Sequence, residues 1–344
     1  WGEQITIWDT TPRNEVRTLT SKHGELYSLA WSPDGRCIAV GAGDFIYPNG
    51  FVGTVYVWNS ESGAPIKMFE WRTGSEAHAV PVRPGSISVA WSPNGAHLAS
   101  FDGTGAVKVW STTNWQPVSG LAKLPPATGL ADDGKLAWSF DGKWLAAASG
   151  WSTVKVWESE TWREVFSYSD QEKRGVSLIG WSRNSGELSF DTFPTALKAW
   201  NPVSGRLKDV GRSIKDDGGS IRGELNWSPD ERWVADRHGT EIGIWDPQTP
   251  FWWRRSLPVL RGHSGVVVGV VWSPDGRRLV SASQDGTVKI WDISSGHELL
   301  TFGGTERQPC RAVAFSPDGF RLAVSRGTIV RILDARPKPT QTRP

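Results

Sequence analysis

The sequence has only two cysteines, Cys37 and Cys310, set far apart. No metal or redox spacing joins them, so a disulfide framework has no support and a reduced, cytoplasmic setting is the expectation. Charge of one sign is missing too: 38 basic against 36 acidic residues leave a net charge of +2 over 344 residues. A chain so balanced has no global field to draw it onto nucleic acid or an anionic membrane surface. No run reaches the roughly 18 apolar residues of a membrane span, and no basic stretch with an apolar core opens the chain as a signal peptide would. The motifs of hydrolase elbows, zinc proteases, Walker loops and dinucleotide folds are absent. The six histidines, His23, His78, His97, His238, His263 and His297, show no paired spacing for zinc. No cofactor, metal, nucleic acid or membrane is therefore expected. The chain opens on Trp1 rather than Met, which suggests a piece of a longer protein.

What the sequence has is tryptophan, 22 of them, in a recurring frame. The theme Trp-Ser-Pro-Asp, usually closed by Gly, begins at Trp31, Trp91, Trp138, Trp181, Trp227, Trp272 and Phe315. After each copy and an apolar run comes a second mark, a strand ending in Trp: Trp58, Trp110, Trp157, Trp200, Trp245 and Trp291, with Leu333 last and Trp8 alone at the start. The second marks lie 50, 52, 47, 43, 45, 46 and 42 residues apart, against about 40 to 45 for a propeller blade.

The best copy shows how one repeat makes a sheet. Residues 266–272 read as a buried strand, and Ser273-Pro274-Asp275-Gly276 turns it back, with Pro presetting φ and Gly suiting the fourth place of a type I turn. Residues 278–283 form a second strand, Asp285-Gly286 a hairpin, 287–292 a third strand and 297–302 a fourth. The longer intervals place insertions at 45–51, between strands two and three, and at 71–85, before an inner strand. In up-and-down blades both emerge on one face of the disc, opposite the Ser-Pro-Asp turns.

Leu-Val-Ser-Ala-Ser-Gln-Asp-Gly-Thr-Val-Lys-Ile-Trp-Asp over 279–292, preceded by Gly262-His263, resembles the WD-repeat β-propellers, in bacterial-style repeats. That resemblance implies an all-β ring of four-stranded antiparallel blades and a buried tetrad within a blade, here His263, Ser281, Asp285 and Trp291. Other copies depart from it: Ser100, Asp102 and Trp110 stand without a His. The expected domain runs over 1–335, with blades starting near 25, 86, 134, 175, 221, 265 and 310, followed by a tail at 336–344. Seven blades need 28 strands and the tally is 29, so one third strand is surplus. We expect residues 15–20 to supply the outer strand of the C-terminal blade, closing the ring and leaving no long unpaired edge. Segments 5–9 and 328–334 then compete for one third-strand slot.

His263, Ser281 and Asp285 include the residue types of a hydrolase triad, but Ser281 sits inside a strand with no strained elbow to expose it, so no enzyme is expected. The remaining candidates lie on the insertion-bearing face: Tyr47, Phe51, Trp71, Arg83, Trp151, Arg174, Arg222, Arg237, His238, Arg307 and Arg326. Intervening acids make a solvated polar rim the plain reading. The sharper one is a funnel of aromatics and guanidinium groups that receives a carboxylate-bearing protein or peptide, another domain of the same chain included. The function so read is a scaffold or sensor platform for protein binding. The alternative is a ligand-binding or enzyme-associated propeller of the TolB-like class.

Overall fold

The computed structural model describes residues 15–22, 24–46, 50–72, 87–102, 105–118, 121, 123–124, 135–149, 153–169, 176, 179–192, 196–212, 226–246, 259–303 and 308–335. These form seven antiparallel sheets in a seven-bladed β-propeller, with no helix among the described residues. Blade 1 comprises Glu25–Trp31, Cys37–Ile46, Gly50–Asn59 and Pro65–Arg72; blade 2, Ser88–Trp91, His97–Phe101 and Val107–Ser111. Blade 3 comprises Lys135–Trp138, Trp144–Ser149, Thr153–Glu158 and Glu164–Ser169; blade 4, Ile179–Trp181, Leu188–Thr192, Ala196–Trp200 and Leu207–Arg212. Blade 5 comprises Asn226–Trp227, Val234–His238 and Glu241–Trp245; blade 6, Val267–Trp272, Arg278–Ser283, Thr287–Asp292 and Glu298–Gly303. Blade 7 comprises Cys310–Phe315, Arg321–Arg326 and Ile329–Asp334, completed by Glu15–Thr20 from the other end of the chain. In blades 2 and 5 the fourth position is marked by the single bridges Trp110↔Pro117 and Ile242↔Leu260.

The expected clasp is present, with Glu15–Thr20 running antiparallel to Ile329–Asp334 from Glu15↔Leu333 to Thr20↔Ile329. The C-terminal segment therefore fills the contested third-strand slot, where its tight turn from Arg326 keeps it against its own second strand. Segment 5–9 and the tail 336–344 lie outside the described residues. The insertion at 45–51 lengthens a hairpin: strands Cys37–Ile46 and Gly50–Asn59 stay paired out to Ile46↔Gly50.

Two devices set the blades. In five of the seven turns the serine hydroxyl donates to the acid two residues on and accepts the amide five residues on, as in Ser32 Oγ to Asp34 Oδ1 at 2.6 Å and Cys37 N to Ser32 Oγ at 2.8 Å; Asn94 takes the acid's place in blade 2 and Glu231 of the next blade in blade 4. That arrangement satisfies a buried serine and fixes the turn that the sequence chose. Between blades, apolar side chains of facing sheets interdigitate. Trp157 and Trp291 are fully buried there, and truncating such a ring typically costs about 3–5 kcal/mol. The seams differ in strength. Blades 4 and 5 share only Leu197, Val234 and Trp245 as buried apolar residues among those described, whereas every other seam has seven or more.

Candidate partner-binding face

Blade 6 positions its polar core by a close approach of backbones. A Cβ at Gly265 would stand 2.6 Å from the amide of Asp285, so only glycine lets the loop before the inner strand lie on the turn. That contact brings His263 over the sheet, with Nδ1 3.0 Å from Asp285 Oδ2 and Nε2 2.7 Å from Ser281 Oγ. Trp291 Nε1 donates to the same Ser281 oxygen at 2.8 Å. Because the Asp285 carboxylate only accepts, the donors run in one direction: Trp291 to Ser281, Ser281 to His263, His263 to Asp285. Burial holds the His263 pKa below 6.5 despite the Asp285 carboxylate, which fits the neutral ring this order requires. Burial alone would raise the Asp285 carboxyl. The Thr287 hydroxyl and amide, the Ser264 amide and His263 hold it instead well below the usual carboxylate range.

Ser281 is fully buried, with its oxygen saturated by two ring partners. The group therefore has triad-like contacts but no opening through which a substrate could reach the hydroxyl.

Among the described residues of blade 2 no histidine takes that place, and a tryptophan from its neighbour meets the aspartate. Trp71, at the end of the outer strand of blade 1, donates from Nε1 to Asp102 Oδ2 at 2.7 Å. The ammonium of Lys108, which pairs with Ser100 as Lys289 pairs with Ser281, lies 3.7 Å from the Trp71 ring centroid. Burial lowers the Lys108 pKa to about 8, with Asp102 opposing and Lys123 assisting the shift.

The described members of the insertion-bearing face fall in three blades. Trp71 crosses the first seam in the manner just given. In blade 5, Asp236 Oδ2 lies 3.2 Å from His238 Nε2, and the Arg237 guanidinium donates to the Val268 carbonyl of blade 6. Arg326, in blade 7, is buried, and a Cβ at Gly303 would meet its guanidinium carbon at 3.1 Å. Trp71, Arg237 and Arg326 thus each reach a neighbouring blade, whereas His238 pairs within its own. Tyr47, Arg83, Trp151, Arg174, Arg222 and Arg307 lie outside the described residues; Phe51 is described only as part of its strand.

Sequence reasoning missed the handover of Trp71 to the next blade, because spacing within a repeat carries no information about a partner outside it. It also passed over Phe140, Arg183 and Glu231 on the opposite face, although each breaks the repeated turn and was visible as a departure from it. Among the described residues, no three His, Cys, Asp or Glu side chains gather as a metal site would need, and no helix is long and apolar enough to cross a membrane.

A sequence model described as WD domain, G-beta repeat, matches residues 13–46, 76–111, 134–158 and 254–292. Four segments of the chain, all within the seven-bladed ring, are thus similar to this repeat. The last match contains the complete His263–Ser281–Asp285–Trp291 group, and the first spans the clasp strand and half of blade 1. Similar curated proteins include the guanine nucleotide-binding protein subunit beta of Arabidopsis thaliana, 23% identical over 307 residues, 88% of this chain and 66% of that protein. The subunit of the same description from Oryza sativa subsp. japonica is 24% identical over 322 residues, again 88% and 66%. The small ribosomal subunit protein RACK1 of Caenorhabditis elegans is 35% identical over 77 residues, 22% of this chain and 23% of that protein. The chain thus spans 66% of the length of the two plant relatives.

Proposed function

We propose that this WD40 ring is a non-catalytic, cytoplasmic platform that binds another protein, or another domain of its own chain, as a scaffold or sensor module. The observation that supports this best is the saturation of Ser281: a group with the residue types of a hydrolase is consumed in holding a blade together. A rigid ring then offers its loops, and loops on a preorganised scaffold bind with little ordering cost. Similarity to the beta subunit of a guanine nucleotide-binding protein and to the small ribosomal subunit protein RACK1, both named as parts of larger assemblies, supports the same reading. The bacterial style of the repeat rests on the turns alone, since the relatives named above are plant and nematode proteins.

The face we assign is the insertion-bearing one, with Trp151, Arg83, Arg174, Arg222 and Arg307 as contacts to a carboxylate-bearing segment. Co-precipitation with the purified ring, followed by mass spectrometry, tests this. Recovery of a specific partner should fall with Trp151→Ala and with the triple change Arg174→Ala, Arg222→Ala and Arg307→Ala. Undiminished recovery with both variants would remove the assignment.

A further inference from the structure

Four blades carry a lysine two residues before the tryptophan of the third strand: Lys108, Lys155, Lys198 and Lys289. In three of them an acid of the same blade's outer strand meets the ammonium. Lys155 Nζ lies 2.8 Å from Glu164 Oε2, Lys198 Nζ 2.6 Å from Asp209 Oδ1 and Lys289 Nζ 2.7 Å from Glu298 Oε2. Glu164 and Glu298 stand on the rungs of Trp157 and Trp291. On the same rung of blade 2 stands Pro117, in a single bridge to Trp110. Proline removes the acid, and Lys108 is left without one. Among the described residues its ammonium makes no ion pair and no hydrogen bond, and it lies instead 3.7 Å from the centre of the Trp71 ring.

This placement favours nucleophilic chemistry at Lys108 for a reason the other three lack. A carboxylate in contact with an ammonium favours the charged form, whereas burial without one disfavours it. Lys108 is half-buried and its pKa is lowered to about 8, by burial first, with Asp102 opposing and Lys123 assisting. The neutral amine is the form that attacks a carbonyl carbon.

The charge of Lys108 also serves the seam between blades 1 and 2. Asp102 is buried, and its carboxylate attracts the Lys108 ammonium while accepting the Trp71 indole N–H at 2.7 Å from across that seam. The Trp71 ring and the Asp102 carboxylate therefore share one cation, which acylation deletes.

We propose that Lys108 is an acylation site, taking its acyl group from a thioester, and that the modification loosens the seam between blades 1 and 2. The amine nitrogen attacks the thioester carbonyl, the C–N bond forms as the C–S bond breaks, and the nitrogen's proton passes to the departing thiolate. An amide and a free thiol result. The amide is neutral, so the Trp71 ring loses its cation and Asp102 keeps a buried charge without it.

The test exposes the full chain at pH 8 to the acetyl thioester of N-acetylcysteamine and follows each lysine by peptide mass spectrometry. In the folded ring Lys108 should be acetylated about tenfold faster than Lys155, Lys198 and Lys289, and in urea the four rates should converge. Acetylation of Lys108 no faster than that of the three paired lysines overturns the site. The loosening is read from the Trp71 indole proton, assigned by its loss in Trp71→Phe. Its exchange with solvent should quicken about tenfold in Lys108→Gln and stay near the wild-type rate in Lys108→Arg, which keeps the charge. Equal exchange in the two variants overturns the loosening. Where Lys108→Gln fails to fold, wild-type protein singly acetylated at Lys108 gives the same reading. Neither result bears on the platform reading, which partner recovery decides.

Discussion

The guanidinium of Arg321 lies 4.7 Å over the indole of Trp31, joining the last blade to the first on the turn face. Its nitrogens also donate to Gly35 O at 2.9 Å, Ser60 Oγ at 3.1 Å and Glu61 Oε1 at 3.0 Å, all in blade 1. Arg321 is buried while Glu61 is largely exposed, so the ion pair itself adds little and the bonds to the buried carbonyl and hydroxyl matter more.

Arg321→Met keeps the stem over Trp31 but leaves those acceptors unmet. We expect a loss of about 2–3 kcal/mol, read as a lower midpoint in urea, with faster amide exchange at Leu26, whose amide crosses the same seam to Gly327 O. An unchanged midpoint would mean that the apolar cluster alone closes the ring.

Acid should weaken blade 6 in two stages. His263 has its folded pKa below 6.5, so below that pH the unfolded chain takes up a proton that the folded blade refuses, and stability falls. Asp285 is likewise lowered from 3.8, so its contribution, present at neutral pH, is lost as pH falls below that value. His263→Gln should flatten the first stage and leave the second. Urea midpoints measured between neutral pH and pH 5 check this, and parallel slopes for wild type and variant would refute it.

Lys108 should be the most reactive amine at mildly alkaline pH, because a pKa of about 8 leaves a substantial neutral fraction where ordinary lysines are protonated. Brief treatment with an acylating reagent at pH 8, followed by peptide mass spectrometry, should find Lys108 modified ahead of solvent-exposed lysines such as Lys143. Trp71→Leu, which opens its cover and frees Asp102, should reduce that preference; the same labelling pattern in both proteins would contradict the assigned burial.

Glu231 holds a left-handed backbone, φ 57°, at a turn position where glycine is usual. The strain costs about 1–2 kcal/mol, which Glu231→Gly would relieve. The same change deletes three hydrogen bonds to the turn of blade 4, worth more together even at about 1 kcal/mol each. Net destabilisation of about 1–2 kcal/mol is the expected result in a urea titration; a stabilised variant would show that the bridge contributes little.

The ring itself was legible because its signals are local. Ser-Pro-Asp turns, Asp-Gly hairpins and period-two strands each act within about ten residues, and they placed the strands of blade 6 within a residue or two of their position. The fourth strand of blade 6 was read over 297–302 and spans Glu298–Gly303. Relations across seams were not legible. Nothing within the repeat says that Trp71 serves Asp102, that Arg326 is buried beside Gly303, or that Glu231 completes the turn of a different blade. The contested slot in blade 7 went to the segment with the tighter connection rather than the one with the tryptophan, since a short turn closes a hairpin at small entropic cost.

In the clasp, Glu15 and Leu333 face each other at one end of the strand pair and Thr20 and Ile329 at the other. Tension applied through the chain on either side of the described ring would therefore enter at neighbouring points and part the two strands one rung at a time, as a zipper opens. A closure that resists heat through many simultaneous contacts is for that reason mechanically soft along one direction. Anything pulling on both ends of this chain meets the ring at this clasp.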